Sequence, residues 1–277
     1  MIYVQHLLGI VHLQRSLNLA TELVRKDFEV QLVSGGLPRQ LPLAEAVQLR
    51  QLPPVYSPDG SFKRLLDANG NDVDSHWRAA RRQQLLELFT SFEPQALITE
   101  TFPFGRRMMR FELIPLLEAA KNHPQCIQVI ASIRDILQPK TKPGREQEIC
   151  DLVDQYYDHV LVHGDEKIAR LADSFRLADR IDDKIAYSGY ICTTNPVQPS
   201  GQDGIDEVLV SAGGSFTGAQ ILKTAIEARP KCRLKRLKWR ILVSQSIPDS
   251  MFQKLRQLAS DGIYIERNRR DFSELVK

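Results

Sequence analysis

The chain has 277 residues, 43% of them hydrophobic and 26% charged, ordinary proportions for a globular protein of about two domains at ~150 residues each. This mixture excludes disordered, collagen-like and disulfide-stapled chains, and no apolar run reaches the ~18 residues needed to cross a bilayer. A net charge of +3 is too small for a general nucleic-acid binder, so no nucleic acid is expected among its partners.

The first residues, MIYVQHLLGIVHLQR, show neither a basic n-region nor a small-residue cleavage site, and do not read as a signal peptide. From there, β-rich runs alternate with helical patterns. Strands are expected at Ile2–Gln5, Glu29–Val33, Ala96–Thr99, Ile127–Ser132, His159–His163 and Ile185–Ser188, then at Glu207–Ser211, Arg240–Ser244 and Ile263–Glu266. Continuous apolar runs such as 160–162 and 208–210 suit a parallel sheet covered on both faces. Between the strands, apolar residues recur at helical steps: Leu13, Leu17, Ala20, Val24; Leu85, Leu88, Phe89, Phe92; Phe111, Ile114, Leu117, Ala120; and Ala219, Leu222, Ala225, Ile226. The alternation predicts α/β architecture with a doubly wound sheet. The stretch Leu52–Asp74, rich in Pro, Gly and Asp, is expected to be a mobile loop.

Cys192–Glu207 holds two prolines and two glycines with hardly an apolar residue. It divides the chain into a complete Rossmann-like domain over 1–195, a linker over 196–206, and a second, incomplete Rossmann-like domain over 207–277. The second part has three expected strands and two helices, half of such a domain. A faint echo links the halves: strand, loop and helix around Val4–His12 recur at Leu209–Ser215.

The four cysteines Cys126, Cys150, Cys192 and Cys232 lie far apart without a C-x-x-C pair, and read as reduced thiols of a cytoplasmic protein. His6, His76, His123 and His159 show no spacing that suggests a metal site.

Gly213-Gly214-Ser215 follows a strand and precedes a helix. Such a turn brings backbone N–H groups and a helix N-terminus to one place, suiting a diphosphate; a tight turn with a serine cap reads equally well. His12 falls at the start of its helix, where the dipole disfavours imidazolium. It is either a general base for a hydroxyl or a polar residue bonding to loop backbone. Glu100-Thr101-Phe102-Pro103-Phe104-Gly105-Arg106-Arg107 ends a strand where open α/β sheets bind ligands. Glu100, Arg106 and Arg107 suit a polar or phosphorylated acceptor, or else Pro103 opens a helix beside solvated arginines. Asp135, after Arg134 at a similar strand end, is placed either to orient an imidazole or to pair with Arg134. His163-Gly164-Asp165 reads as a turn. Seven basic residues and no acidic one lie between Arg229 and Arg240, either a solvated loop or a peripheral contact with anionic lipid.

In order, HLLGIVHLQRS, VSGG, ETFPFGRR, SIRDIL, VLVHGD and VSAGGSFTGA resemble the predicted bacterial glycosyltransferases of the GT-B fold, related to the N-acetylglucosaminyltransferase of lipid-linked peptidoglycan precursor synthesis. The resemblance covers nearly the whole chain, and ETFPFGRR is its most specific piece. It implies transfer of a sugar from a nucleotide-diphosphate sugar to an acceptor hydroxyl, with no cofactor and no metal, since backbone amides and a helix dipole would neutralise the leaving diphosphate. Residue by residue, it places His12 as catalytic base and Gly9 and Arg15 with it on the acceptor side. Gly213, Gly214 and Ser215 then fall at the donor diphosphate. Val11 stands where the family has a second glycine. A β-branched residue disfavours positive φ, so this loop is expected to differ in shape. The chain also ends before the segment that supplies the donor-ribose contact in that family, so weak or absent UDP binding is expected. Alternatives are a catalytically incomplete fragment or acceptor-binding subunit completed by a partner chain, and a nucleotide-sugar hydrolase or epimerase of the same fold.

Overall fold

The computed structural model describes residues 1–7, 10–39, 44–58, 64–139, 142–191, 206–213, 218–245, 247–269 and 272–275. The chain divides into two compact units, Met1–Thr193 and Thr194–Lys277. Of the expected linker, only Asp206 lies among the described residues.

The first unit runs β1 (Ile2–Val4), α1 (Val11–Val24), β2 (Val30–Ser34), β3 (Val47–Gln51), β4 (Val55–Tyr56), β5 (Leu66–Asp67), α2 (Ser75–Phe92), β6 (Ala96–Glu100), α3 (Arg110–Lys121), β7 (Gln128–Arg134), α4 (Arg145–Tyr156), β8 (His159–His163) and β9 (Ile185–Tyr187). Seven strands form one sheet in the order β3-β2-β1-β6-β7-β8-β9, every neighbouring pair parallel. Chain progress reverses between β1 and β6. At such a switch point the loops leaving adjacent strands diverge and open a crevice outside the carboxyl ends.

Period-two alternation sends neighbouring residues of each strand to opposite faces. Ile2, Val4, Val30, Leu32 and Ile98 pack with Leu13, Leu17 and Ala20 of α1. Tyr3, Val33 and Leu97 face the other way, against Leu85 and Phe89 of α2 and Leu113 and Leu117 of α3. Helix α2 starts at Asp74, whose carboxylate accepts the Trp77 amide at 2.7 Å, a side-chain cap that satisfies one of the orphan donors of the first turn.

Three expectations need correction. Helix α3 buries Glu112, Leu113, Leu116, Leu117 and Ala120. Phe111 and Ile114, placed on the buried stripe by periodicity, are only half-buried, because the buried face also has to carry the Glu112 carboxylate. Pro103 does not open this helix: it follows a cis Phe102–Pro103 peptide, and α3 begins seven residues later. Leu52–Asp74 is not simply a loop, since β4 and β5 pair antiparallel within it. Val11, as a β-branched residue should, avoids the left-handed region: it is the first residue of α1 and 63% exposed.

A wholly buried ion pair fastens α2 and α3 to the loops after β1 and β2. The Arg81 guanidinium donates to both Glu112 oxygens at 2.7 and 2.9 Å, to Gln5 Oε1 at 2.6 Å and to the Gly35 carbonyl at 3.0 Å. Tyr3 donates its hydroxyl to Glu112 as well. Gly35 and Gly36 are required here. A Cβ on Gly35 would lie 2.3 Å from Arg81 Nη2, and one on Gly36 would lie 2.4 Å from the His6 carbonyl oxygen.

The second unit contains β10 (Glu207–Ser211), α5 (Ala219–Ala228), β11 (Lys238–Val243), α6 (Asp249–Leu258), β12 (Ile263–Arg267) and α7 (Phe272–Leu275). Its three strands are parallel in the order β10-β11-β12. Leu222 and Ile226 of α5 and Leu255 of α6 pack on Trp239, Ile241, Val243 and Ile263. Cys126, Cys150 and Cys232 are free thiols; Cys192 lies outside the described residues. No described helix is long and apolar enough to cross a membrane.

Candidate active site

At the switch point, β6 delivers Glu100 into the crevice and α1, following β1, delivers His12. Glu100 is 1% exposed, and its two oxygens take four donors. Oε1 accepts from His12 Nδ1 at 2.9 Å, from Thr101 Oγ1 at 3.0 Å and from Arg15 Nη2. Oε2 accepts from Ser132 Oγ at 2.7 Å. Burial alone would push this carboxyl up, but the His12 hydrogen bond and the Arg15 guanidinium outweigh it and hold the group at about 2. Glu100 is therefore a permanent anion.

Thr101 makes this geometry at a local conformational cost. Its φ is +72°, unusual for a β-branched residue and the kind of strain a surrounding structure must over-determine. Its amide donates to the Ser132 carbonyl at 2.8 Å, and its hydroxyl lies 3.1 Å from His12 Nδ1. Arg106 is also left-handed, at φ +57°, and donates Nε to the Gln5 carbonyl at 2.7 Å.

Proton accounting fixes the His12 tautomer. A carboxylate only accepts, so Nδ1 carries the hydrogen and Nε2 keeps its lone pair. Nε2 makes no hydrogen bond among the described residues, and the side chain is 28% exposed. Burial first, then the nearby Arg106 and Arg15 charges, lower the His12 pKa against the opposing pull of Glu100. The ring is a neutral base at pH 7. Burial is the largest of these causes, and His12 is also the second residue of α1, where the helix dipole acts in the same direction.

The same accounting runs outward. Ser132 gives its proton to Glu100, so its oxygen accepts from His163 Nε2 at 2.8 Å. His163 Nδ1, in turn, faces Ser188 Oγ at 2.8 Å. His163 is 4% exposed, and burial together with the Arg15 charge lowers it to about 4. The sequence alone read His163 as part of a turn and gave Ser132 and Ser188 no role. Their signal was positional: His163 ends β8, Ser188 follows β9, and Ser132 lies two residues before the end of β7, all toward the carboxyl edge of the sheet.

These shifts carry a stability prediction. His163 in the folded chain binds a proton only near pH 4, whereas an unfolded imidazole binds one near 6.5. Its contribution is complete above 6.5 and is lost as pH falls to 4, on the order of 2–3 kcal/mol. Glu100 extends the loss from 4.5 to about 2. Urea midpoints are expected to fall steadily between pH 7 and 4, and His163→Asn is expected to flatten that slope. His6, also lowered to about 4 by burial and then by Arg39 and Arg106, should retain its share.

Other candidates fall elsewhere. Arg107 does not reach Glu100: it bonds Glu148 at 3.3 Å, as do Arg110 and Arg145. Asp135 orients no imidazole. Its carboxylate accepts the Ile136 amide at 2.8 Å and the Tyr190 hydroxyl at 3.3 Å, leaving the orienting role to Glu100. Gly9 lies outside the described residues.

In the second unit Gly213 is exposed at φ +73°. Its amide donates to Ser211 Oγ at a long 3.3 Å. A Cβ on Gly218 would meet the Ala212 Cβ at 2.5 Å, so only glycine lets the start of α5 close on the end of β10. Gly214 and Ser215 lie outside the described residues. The basic run is partly internal: Arg240 is buried between Glu207 and Glu266, and Arg229 donates to the Asp261 and Leu237 carbonyls.

A seven-stranded parallel α/β unit followed by a smaller parallel one is the architecture of the GT-B type of fold. Solved structures with this architecture match over the whole chain. UGT2 of Phytolacca americana, complexed with UDP-2-fluoro-glucose and pterostilbene, superposes with a TM-score of 0.56 at 16% identity, over 99% of this chain and 72% of that one. Os79 Q202A of O. sativa, in complex with UDP, gives 0.59 at 10% identity, covering 100% and 74%. MurG of Acinetobacter baumannii gives 0.50 at 10% identity, covering 99% and 70%. No family model matches the sequence, and no curated protein does so significantly.

Proposed function

We propose that this chain transfers a sugar from a nucleoside-diphosphate sugar to an acceptor hydroxyl, with His12 as the general base. The observation that carries this reading is the pairing of His12 Nδ1 with a buried, permanently ionised Glu100 while Nε2 makes no hydrogen bond among the described residues. An acceptor hydroxyl gives its proton to Nε2 as its oxygen bonds the anomeric carbon. The bond from that carbon to the diphosphate breaks, and the diphosphate leaves with the electron pair. One displacement inverts the anomeric configuration. Glu100 stabilises the imidazolium that forms, and Arg15 and Arg106 give the acceptor side a positive field. The Gly213 turn and the α5 N-terminus are the proposed partner of the departing diphosphate, together with Gly214 and Ser215.

UDP is the donor nucleotide to test first, because UGT2 and Os79 carry UDP ligands. His12→Ala is expected to lower UDP release from a UDP-sugar by ~10²–10⁴-fold and to leave UDP binding by calorimetry unchanged. Turnover that survives the substitution would remove His12 as the base.

A further inference from the structure

In the second unit, the segment between α5 and β11 was singled out by its charge, and the sugar-transfer reading does not use it. Arg229, Lys238 and Arg240 are tied into the fold, but Lys231, Arg233, Lys235 and Arg236 are exposed. None of these four forms an ion pair among the described residues. Between them, Leu234 is 51% and Leu237 37% exposed. A single exposed leucine is ordinary; here two of them bracket two of the cations, Lys235 and Arg236, within four residues of one short segment.

The backbone supplies the means of keeping them out. Trp239 is buried, and its indole N–H donates to the Leu234 carbonyl at 3.1 Å. Arg229 Nη2 donates to the Leu237 carbonyl at 3.2 Å. Consecutive turns close with Lys235 N to Cys232 O at 3.3 Å and Leu237 N to Leu234 O at 3.1 Å. Both carbonyls are held by side chains of the fold, while the two leucine side chains stay exposed. The segment leads into β11, so in a parallel sheet it lies at the edge opposite the Gly213 turn. A lipid contact there would leave the proposed diphosphate site of this unit uncovered.

We infer that residues 231–237 dock on an anionic phospholipid surface, with Leu234 and Leu237 entering the headgroup layer and the four cations meeting lipid phosphates and carboxylates. Clustered cations select an anionic partner, and two protruding leucines select one with an apolar interior. A single-stranded nucleic acid fits less well. Such sites interleave cations with exposed aromatic rings for base stacking, and the one aromatic residue here, Trp239, is 7% exposed. The charges act additively at the membrane surface, each strengthening binding about five-fold.

The test is cosedimentation of the full chain with vesicles of phosphatidylcholine, alone or containing about one third phosphatidylserine. Binding is expected only to the phosphatidylserine vesicles, and is expected to fall as salt shortens the Debye length from ~10 Å at 0.1 M to ~3 Å at 1 M. K231Q/R233Q/K235Q/R236Q should weaken partitioning by more than a hundred-fold. L234S/L237S, both surface changes, should weaken it about ten-fold or more while keeping the salt dependence. Circular dichroism verifies that both variants fold. Failure to bind phosphatidylserine vesicles, equal binding to pure phosphatidylcholine, or binding untouched by both variants would overturn the inference. So would capture by poly(U) in preference to the vesicles.

Discussion

Glu100→Gln is expected to lower sugar transfer by on the order of 10²–10³-fold, the size of losing one preorganised electrostatic stabiliser, with the chain still folded. Four donors converge on the Glu100 carboxylate, and an amide offers one acceptor and one donor in its place. The carbonyl end is expected to stay with Arg15, Thr101 and His12, where three of the donors are. The NH2 end then faces Ser132, whose hydroxyl has to turn and donate to His163 Nε2. That reversal forces His163 into the opposite tautomer. His12 keeps its own tautomer but loses the charge that stabilises its protonated form, so its pKa falls further. UDP release measured against pH would show both effects as a lower plateau and an acidic limb displaced downward. An unchanged plateau would mean that the carboxylate only packs against His12.

Arg81→Met is expected to be the most destabilising single change away from the site, at about 3–5 kcal/mol, because it strands the buried Glu112 carboxylate. Both side chains are 0% exposed. The guanidinium also holds Gln5 and the Gly35 carbonyl, so the loss spreads to the loops after β1 and β2. Urea unfolding checks the magnitude. Arg81→Met combined with Glu112→Leu should recover part of the loss, since no charge is then left unpaired. A cost below about 1 kcal/mol for the single change would show that water reaches the pair.

Much of the fold was legible because it rests on strongly periodic segments. Both strands with unbroken apolar runs, β8 and β10, take the bounds the sequence suggests, and the α1 stripe packs as expected. Legibility failed where a residue's reason is tertiary. Strand β3 alternates Val47 and Leu49 with polar residues at a sheet edge, so it carries little apolar signal. The buried face of α3 was misjudged because Glu112 is charged, and only its pairing with Arg81 accounts for its burial. At the site, His12 stands out at the start of its helix and Glu100 at the end of a strand. Their pairing spans 88 residues and is set by which strands lie side by side. Ser132 and His163 join through the same adjacency of β6, β7 and β8, and no local pattern announces a hydroxyl that links a carboxylate to a second imidazole.

The state of the His12 ring decides the mechanism, and nitrogen-15 NMR of the imidazole across a pH titration reads it directly. At pH 7 a neutral ring is expected, with hydrogen on Nδ1 and a bare Nε2, titrating below the ordinary 6.5. A ring already protonated at neutral pH, or one with its hydrogen on Nε2, would leave no lone pair on Nε2 to receive an acceptor's proton.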